Sequence, residues 1–90
     1  MKIEYDQNKR EKTLLERGID FARASEIFAG MHFTAEDCRQ DYGEIRKITV
    51  GKLDARIVVM VWTPRGNGRR IISMRKANER EIKRFEKYLG

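Results

Sequence analysis

The sequence predicts an α+β fold in which a strand and two helices precede an antiparallel β-meander and a C-terminal helix. The first observation is size: 90 residues, of which 40% are hydrophobic, suffice for one modest core and a single domain over residues 1–90. The second is periodicity, because apolar residues recur at helical spacing near both ends of the chain and in alternating or continuous runs between them. The third is the set of Gly- and Asn-containing turns that separate these runs.

The beginning of the chain is predicted to form a strand and a helix. The opening residues alternate in polarity as in a strand, and Asp6 can then cap a helix running from Gln7 to about Arg17. Leu14 and Leu15 are the expected core anchors of that helix. Gly18 can end it, because glycine readily takes the left-handed C-cap conformation.

A second helix is predicted to begin after Asp20 and to end at Gly30. Its apolar residues recur at three- and four-residue spacing and form one stripe that faces the core, made of Phe21, Ala24, Ile27 and Phe28. We expect a short strand over residues 31–34 and a polar loop over residues 35–42 to follow.

The rest of the chain is predicted to form the meander and the last helix. A strand is expected over residues 44–50, a turn over 51–54, and a central strand over the apolar run 57–62, which is typical of a strand covered on both faces. A turn over 64–68 leads to a return strand over 69–75. Beyond it, the apolar face of the last helix is expected to consist of Ile82, Phe85 and Leu89, and its N-terminal cap pair of Asn78 and Glu81.

The net charge of +6 is concentrated at one end of the chain. Residues 1–64 contain eleven basic and eleven acidic side chains, whereas residues 65–90 contain nine basic and three acidic ones. Such a basic segment is typical of a surface that meets phosphate groups or an acidic protein, and a solvated basic helix is the alternative.

Several functional classes are excluded by what the chain lacks. No apolar run approaches the length of a transmembrane helix, and the first residues lack the apolar core of a secretory signal, so we expect a cytoplasmic protein without membrane contact. A single cysteine, Cys38, excludes an internal disulfide, and with His32 as the one histidine a zinc site of Cys and His is not expected.

The last strand and the last helix together predict a basic surface. Strict alternation places Arg69 and Arg75 on one side of the strand and Arg70 on the other. The exposed cations of the helix recur at three- and four-residue intervals and are Arg80, Lys83, Arg84 and Lys87. Guanidinium groups can hold phosphate oxygens in bidentate fashion, although pairing with acidic residues on the same helix is an alternative for the helix cations.

Familiar catalytic motifs are missing: the chain has no Gly-rich phosphate loop, no HExxH, no nucleophile elbow and no pair of histidines. His32 and Cys38 are better explained as a packed or exposed histidine and an exposed loop cysteine than as catalytic groups. If the chain cleaves RNA, the 2′-hydroxyl of the substrate supplies the nucleophile. Arginines and one or two carboxylates then suffice, with no metal or cofactor.

Three segments of the chain form recognisable motifs: Arg70-Ile71-Ile72-Ser73-Met74-Arg75-Lys76-Ala77-Asn78-x-x-Glu81, Asp41-Tyr42-Gly43-Glu44-x-Arg46 and Val61-Trp62-Thr63-Pro64-Arg65-Gly66. Together they resemble the BrnT family of bacterial toxins; the first motif is the most specific and the second supports it. The resemblance implies a fold similar to RelE toxins, ribonuclease activity that arrests growth, and neutralisation by a BrnA-type antitoxin. It also implies a complex of two toxins and two antitoxins that binds operator DNA only through the antitoxin.

Position by position, the resemblance singles out arginines and carboxylates. The expected catalytic residues are Arg46, Arg65, Arg70, Arg75, Glu44 and Glu81. With the basic surface added, the expected RNA-binding residues are Arg69, Lys76, Asn78, Arg80, Lys83, Arg84 and Lys87. Because strict alternation separates Arg70 from Arg75, either a β-bulge intervenes or the two arginines do different jobs.

Two positions depart from the family pattern. The family usually has Lys-His-Gly at the end of the first helix, where this chain has Glu16-Arg17-Gly18, and a late tyrosine in the last helix, where this chain has Phe85. Proton transfer then falls to a carboxylate such as Glu44 or Glu81, or is weak. Three functions therefore stay open: a metal-independent endoribonuclease toxin, a degenerate protein that binds an antitoxin and acts as co-repressor, and a non-catalytic RNA-binding module.

Overall fold

The computed structural model describes residues 2–89 and has an α+β fold, which confirms the predicted class. The strands are β1 (Lys2–Tyr5), β2 (His32–Glu36), β3 (Lys47–Leu53), β4 (Arg56–Arg65) and β5 (Gly68–Lys76). The helices are α1 (Gln7–Arg17), α2 (Ala24–Ala29), which follows a 3₁₀ turn at Phe21–Arg23, and α3 (Glu79–Leu89). Among residues 2–89, no helix is long and apolar enough to cross a bilayer.

The five strands form one sheet in the order β1-β5-β4-β3-β2. Strands β2 to β5 are antiparallel neighbours, as a meander requires, but β1 pairs in parallel with β5. The sheet is therefore mixed, which the prediction of an antiparallel meander did not include. The parallel partner of β1 lies near the other end of the sequence, so no local pattern indicates it.

The turn predicted over residues 51–54 is wrong, because β3 continues to Leu53 and the chain turns at Asp54 and Ala55. Both turn residues have positive φ, of 52° and 65°, as the tightest hairpin turns require. Gly51 is instead a buried strand residue. A Cβ atom there would lie 2.7 Å from Cγ2 of Ile27, so this glycine allows α2 to approach the sheet closely.

Apolar side chains cover both faces of the sheet. On the face that we call the α2 face, the largest buried residues are Phe21, Ile27, Met60, Trp62, Ile71 and Met74. On the opposite face, which we call the α3 face, Val50, Ile57 and Val59 pack with Leu89, and Phe85 lies against this cluster. The predicted stripe of the second helix thus reaches the sheet, as do Phe85 and Leu89 of the last helix, whereas Ile82, the third residue predicted for that apolar face, is 38% exposed.

Helix α1 contains no buried residue, and Leu15 is 88% exposed, so the prediction that Leu14 and Leu15 anchor it in the core is wrong. Polar contacts fix α1 instead. Asp6 caps it as predicted, accepting a hydrogen bond of 3.0 Å from the backbone N–H of Lys9. At its other end, Arg17 donates to the carbonyl oxygen of Met74 at 2.8 Å. Because β1 pairs only with Gly68–Ile71 of β5, this arginine satisfies a carbonyl beyond the end of β1.

Strand β5 contains an irregularity that decides where its side chains lie. Val61 pairs with Ser73, but the next residue, Trp62, pairs with Ile71, so Ile72 is an extra residue opposite β4. Such a bulge reverses the alternation of side chains for the residues before it. The strict alternation used in the sequence prediction is therefore wrong for the first half of this strand.

The bulge brings two predicted catalytic arginines to the same face. Arg75 pairs with Val59, which belongs to the α3-face cluster. Arg70 pairs with Thr63, the residue after Trp62, and so lies on the face opposite to that of Trp62, which is again the α3 face. Of the two explanations that the sequence left open for Arg70 and Arg75, the structure shows the bulge.

Candidate functional site

A groove of about 350 Å³ opens on the α3 face beside the first turns of α3. Three apolar strand residues contribute to its wall: Ile48, Val50 and Val59. The other lining residues are Arg39, Arg75, Arg80, Glu81, Arg84 and Phe85. We call this the arginine groove, because four of its residues are arginines and one is a carboxylate.

Arg75 and Glu81 form a bidentate ion pair in this groove. Nη1 and Nη2 of Arg75 donate to Oε1 and Oε2 of Glu81 at 2.7 and 2.9 Å. Glu81 also accepts from the backbone N–H of Asn78 at 2.8 Å, and Asn78 Oδ1 accepts from the N–H of Glu81 at 2.9 Å. This reciprocal pair confirms the predicted cap of the last helix. The cap positions Glu81, and Glu81 in turn positions Arg75.

The ion pair determines the charge state of the carboxylate. Hydrogen bonds from Arg75, and secondarily from the backbone of Asn78, lower the pKa of Glu81 to about 2, against the opposing effect of partial burial. Glu81 in turn raises the pKa of Arg75. In this resting arrangement Glu81 is ionised at neutral pH and is a weak base, and an incoming anion has to share Arg75 with it or displace it.

The cations of α3 are available to an external anion. Within the described part of the chain, none of the four helix cations Arg80, Lys83, Arg84 and Lys87 forms an ion pair with a carboxylate. The alternative that acidic residues on the same helix neutralise them is therefore not what the structure shows. Arg80 and Arg84 line the arginine groove directly.

The loop between β2 and β3 supplies a fourth arginine that the sequence analysis missed. The side chain of Asp37 is only 1% exposed, and it accepts two hydrogen bonds of 2.8 Å from the guanidinium of Arg39 and one of 3.1 Å from the hydroxyl of Tyr42. These donors, Arg39 foremost, hold the pKa of Asp37 well below its usual range. The loop is thereby fixed with Arg39 at the groove.

Arg46 and Glu44, two predicted catalytic residues, lie at the end of the same loop and contact each other. The guanidinium of Arg46 donates to Glu44 at 3.1 Å and lies 4.1 Å from the ring centre of Tyr42. The carbonyl of Arg46 accepts from the N–H of Asp37 at 2.8 Å, which joins the two ends of the loop. Neither Arg46 nor Glu44 lines the arginine groove itself.

Three predicted arginines lie away from Arg75. From the register, Arg70 and Arg65 lie roughly 13 Å and roughly 20 Å along the strand direction from it. Arg69 is on the α2 face, with its guanidinium 4.0 Å from the ring centre of Phe28 and 4.7 Å from that of Trp62. The expectation that Arg69 shares a side with Arg75 is wrong, because the bulge lies between them.

The remaining predicted residues are spread along α3 and the end of β5. Lys76 lines a different groove, of about 620 Å³, beside the β3–β4 turn. Lys87 borders that groove and, with Lys83, also a second one near Tyr88. Of the predicted set, the structure therefore brings together Arg75, Arg80, Glu81 and Arg84, adds Arg39, and leaves Arg65, Arg69 and Lys76 apart.

The one histidine is used for packing. Nδ1 of His32 is 2.8 Å from the carbonyl oxygen of Gly30, and its ring meets Phe28 edge to face at 5.8 Å. Cys38 is exposed. Among residues 2–89, no group of three His, Cys, Asp or Glu side chains is placed to hold a metal ion.

Fold and groove together define a small α+β protein whose sheet face, β2–β3 loop and last helix bring four arginines to one groove, and guanidinium groups are well suited to hold phosphate oxygens. Residues 5–81 match the family model described as ribonuclease toxin, BrnT, of type II toxin-antitoxin system. The match covers most of the chain, which therefore belongs to this family, and the resemblance seen in the sequence is confirmed. Membership implies a ribonuclease toxin with an antitoxin as its partner. A comparison with curated proteins gave no match.

Proposed function

We propose that the chain is a metal-independent endoribonuclease, a single RelE-like domain over residues 1–90, that cuts RNA in the cytoplasm and arrests growth. A BrnA-type antitoxin neutralises it. The observation that carries this proposal is the arginine groove, in which Glu81 holds Arg75 while Arg39, Arg80 and Arg84 line the same groove. Guanidinium groups gathered in one groove are suited to stabilise the charge that grows on a phosphate during cleavage.

In the proposed reaction the 2′-oxygen of the RNA attacks the adjacent phosphorus, and the bond to the 5′-oxygen breaks. The products are a 2′,3′-cyclic phosphate and a 5′-hydroxyl, which takes its proton from water. Arg75 binds a non-bridging phosphate oxygen, and Arg80 and Arg84 neutralise the developing charge. Because Arg75 is the main cause of the low pKa of Glu81, transfer of Arg75 to the phosphate raises that pKa. Glu81 then accepts the proton of the 2′-hydroxyl.

The outlying predicted residues are assigned to binding of the RNA strand on either side of this phosphate. Arg70 is on the same face as Arg75, and Arg46 is fixed on Tyr42 at the loop that borders the groove. Both are suited to flanking phosphates rather than to the reacting one. Glu44 keeps Arg46 in place through their hydrogen bond.

Purified protein incubated with a defined single-stranded RNA in excess EDTA and low salt tests the proposal. Wild type and an Arg56→Ala control, which removes an exposed arginine at the start of β4, are expected to cut the RNA, whereas Arg75→Ala is not. An all-deoxy oligonucleotide of the same sequence is expected to stay intact, because it lacks the 2′-nucleophile. RNA left intact by the wild type, or cut only after divalent metal is added, would contradict the proposal.

A second candidate function is a degenerate toxin retained for its antitoxin. Arg17 is engaged with the carbonyl of Met74, and Phe85 packs against the α3-face cluster, so neither position offers an acid or base to the groove. An antitoxin complex that forms and represses, together with a wild type that cuts no RNA, would favour it.

For either function we propose two toxins and two antitoxins per complex, and light scattering that shows only a one-to-one complex would exclude this stoichiometry.

A further inference from the structure

A second groove, of about 410 Å³, lies beside the arginine groove, between the edge strand β2 and α3. Its lining consists of three aromatic and three basic side chains: Phe33, Phe85, Tyr88, Lys83, Arg84 and Lys87. We call it the aromatic groove. Arg84 and Phe85 line both grooves, so the two are continuous.

We propose that the aromatic groove is a stacking subsite for one base of the single-stranded RNA whose phosphate is bound at Arg75. The inference rests on the proposed ribonuclease function and names a binding site for its substrate. Sites for single-stranded nucleic acid combine aromatic rings, on which bases stack, with cations that follow the backbone. Both kinds of group line this groove.

The rings of the aromatic groove are unusually accessible. Phe33 is 40% exposed and Tyr88 55% exposed, although both are large hydrophobic residues. Their ring centres are 5.8 Å apart at 79°, and Phe33 lies 5.8 Å from Phe85 at 38°. Phe33 and Phe85 thus pack together while part of Phe33 and most of Tyr88 remain open, and a flat, apolar base face would cover this surface.

Charge favours a nucleic acid strand in this groove. Nζ of Lys87 lies 5.1 Å from the ring centre of Tyr88, and the guanidinium of Arg84 lies 5.3 Å from that of Phe85. No carboxylate of residues 2–89 lines the groove. A base stacked on the rings would therefore place its flanking phosphates next to cations. One of these cations, Arg84, also lines the arginine groove at Arg75.

The register of the sheet indicates a path for the RNA across the protein. Arg75 pairs with Val59, Val59 with Val50, and Val50 with Phe33, so these four residues form one row across β5, β4, β3 and β2. The row spans three inter-strand spacings, or roughly 14 Å. An RNA segment that leaves Arg75 along this row passes Arg84 and reaches Phe33, which places the stacked base on a nucleotide near the cleaved bond.

The test uses a 2′-deoxy oligonucleotide, which the protein cannot cut, with a single 2-aminopurine moved along its sequence. Stacking quenches the fluorescence of this base. Wild type is expected to quench it at one position. Phe33→Leu and Tyr88→Leu, which keep apolar volume but remove the flat ring, are expected to abolish the quenching and to weaken binding roughly tenfold. Tyr88→Phe should restore both, and Leu15→Ala, a change at an exposed leucine of α1, should have no effect.

Unchanged quenching in both leucine variants would overturn the stacking subsite. Loss of antitoxin binding in these variants, with RNA binding intact, would also overturn it and would assign the groove to a protein partner. Failure of the proposed function has a different signature, because a wild type that neither binds nor cuts RNA fails in the cleavage assay itself. A wild type that cuts RNA, with KM unchanged in Phe33→Leu and Tyr88→Leu, would contradict the subsite alone.

Discussion

Glu81→Gln separates the structural role of the Glu81 carboxylate from its proposed role in catalysis. A glutamine at this position can still accept the N–H of Asn78 and so retain the cap of α3, but it cannot form the charged pair with Arg75. The substitution therefore removes one interaction of Glu81, the ion pair, and leaves the other.

The pKa of Glu81 sets the size of the expected loss of stability in Glu81→Gln. A folded-state pKa of about 2 against an unfolded value near 4.3 corresponds to a ceiling of roughly 3 kcal/mol, at about 1.4 kcal/mol per pH unit. The side chain of Arg75 is 46% exposed, so solvent screening reduces the expected loss at pH 7 to about 1–2 kcal/mol.

The sign of the pH dependence follows from the direction of the shift. Folding lowers the pKa of Glu81. The ionised carboxylate therefore makes its full contribution to the free energy of unfolding above the unfolded pKa, and this contribution is lost as the pH falls from about 4.3 towards about 2. Urea unfolding of wild type and Glu81→Gln between pH 3 and pH 7 measures the difference. A difference in unfolding free energy that is the same at both ends of this range would refute the assignment of the pKa to the Arg75 pair.

The same variant distinguishes binding from chemistry. Without its carboxylate competitor, Arg75 is free for phosphate, so Glu81→Gln should bind an uncleavable oligonucleotide more tightly than wild type. It should also cut RNA more slowly, because the proposed base is gone. Weaker binding together with unchanged kcat would contradict both parts of this argument.

Three further predictions concern the loop, the sheet and the helix cations. Asp37→Asn should lower the urea midpoint and make residues 37–46 easier to cleave with protease, since the buried carboxylate no longer holds Arg39; an unaltered cleavage pattern would count against this. Gly51→Ala should cost about 1–3 kcal/mol of stability, because its Cβ would lie 2.7 Å from the side chain of Ile27, whereas Gly30→Ala meets nothing closer than 3.8 Å and serves as control. The double variant Lys83→Ala with Lys87→Ala should weaken RNA binding and flatten its dependence on salt by roughly 0.7 in logarithmic slope per lost phosphate contact; a slope equal to wild type would argue against such contacts.

Local patterns predicted much of the fold correctly. The caps at Asp6 and Asn78 and the left-handed Gly18 depend on residues within one helical turn, and each was identified from the sequence and is found in the structure. Hydrophobic spacing likewise identified the stripe of α2 and, in α3, Phe85 and Leu89 but not the exposed Ile82. It succeeds because a helix that buries one face repeats its apolar residues every three or four positions.

What the sequence could not predict depends on contacts between distant segments. The bulge at Ile72 has no signature of its own, yet it decides that Arg70 lies on the same face of the sheet as Arg75 and that Arg69 does not. Arg39 belongs to a polar loop with no periodicity, and only the burial of Asp37 brings it to the groove. Leu15 shows the opposite error: its apolar side chain and helical position predict burial, but α1 buries none of its residues and Leu15 stays exposed.

The pairing of β1 with β5 also constrains the order of folding. Strand β1 is synthesised first, but its partner Gly68–Ile71 is made after every other strand, and the contact must wait for a large loop to close. Gly68 is part of this late step, since a Cβ atom there would lie 2.7 Å from the carbonyl oxygen of Lys2. During synthesis β1 remains an unpaired strand that can add to other sheet edges, so slow elongation between these two segments lengthens the period in which a growing chain is prone to aggregate.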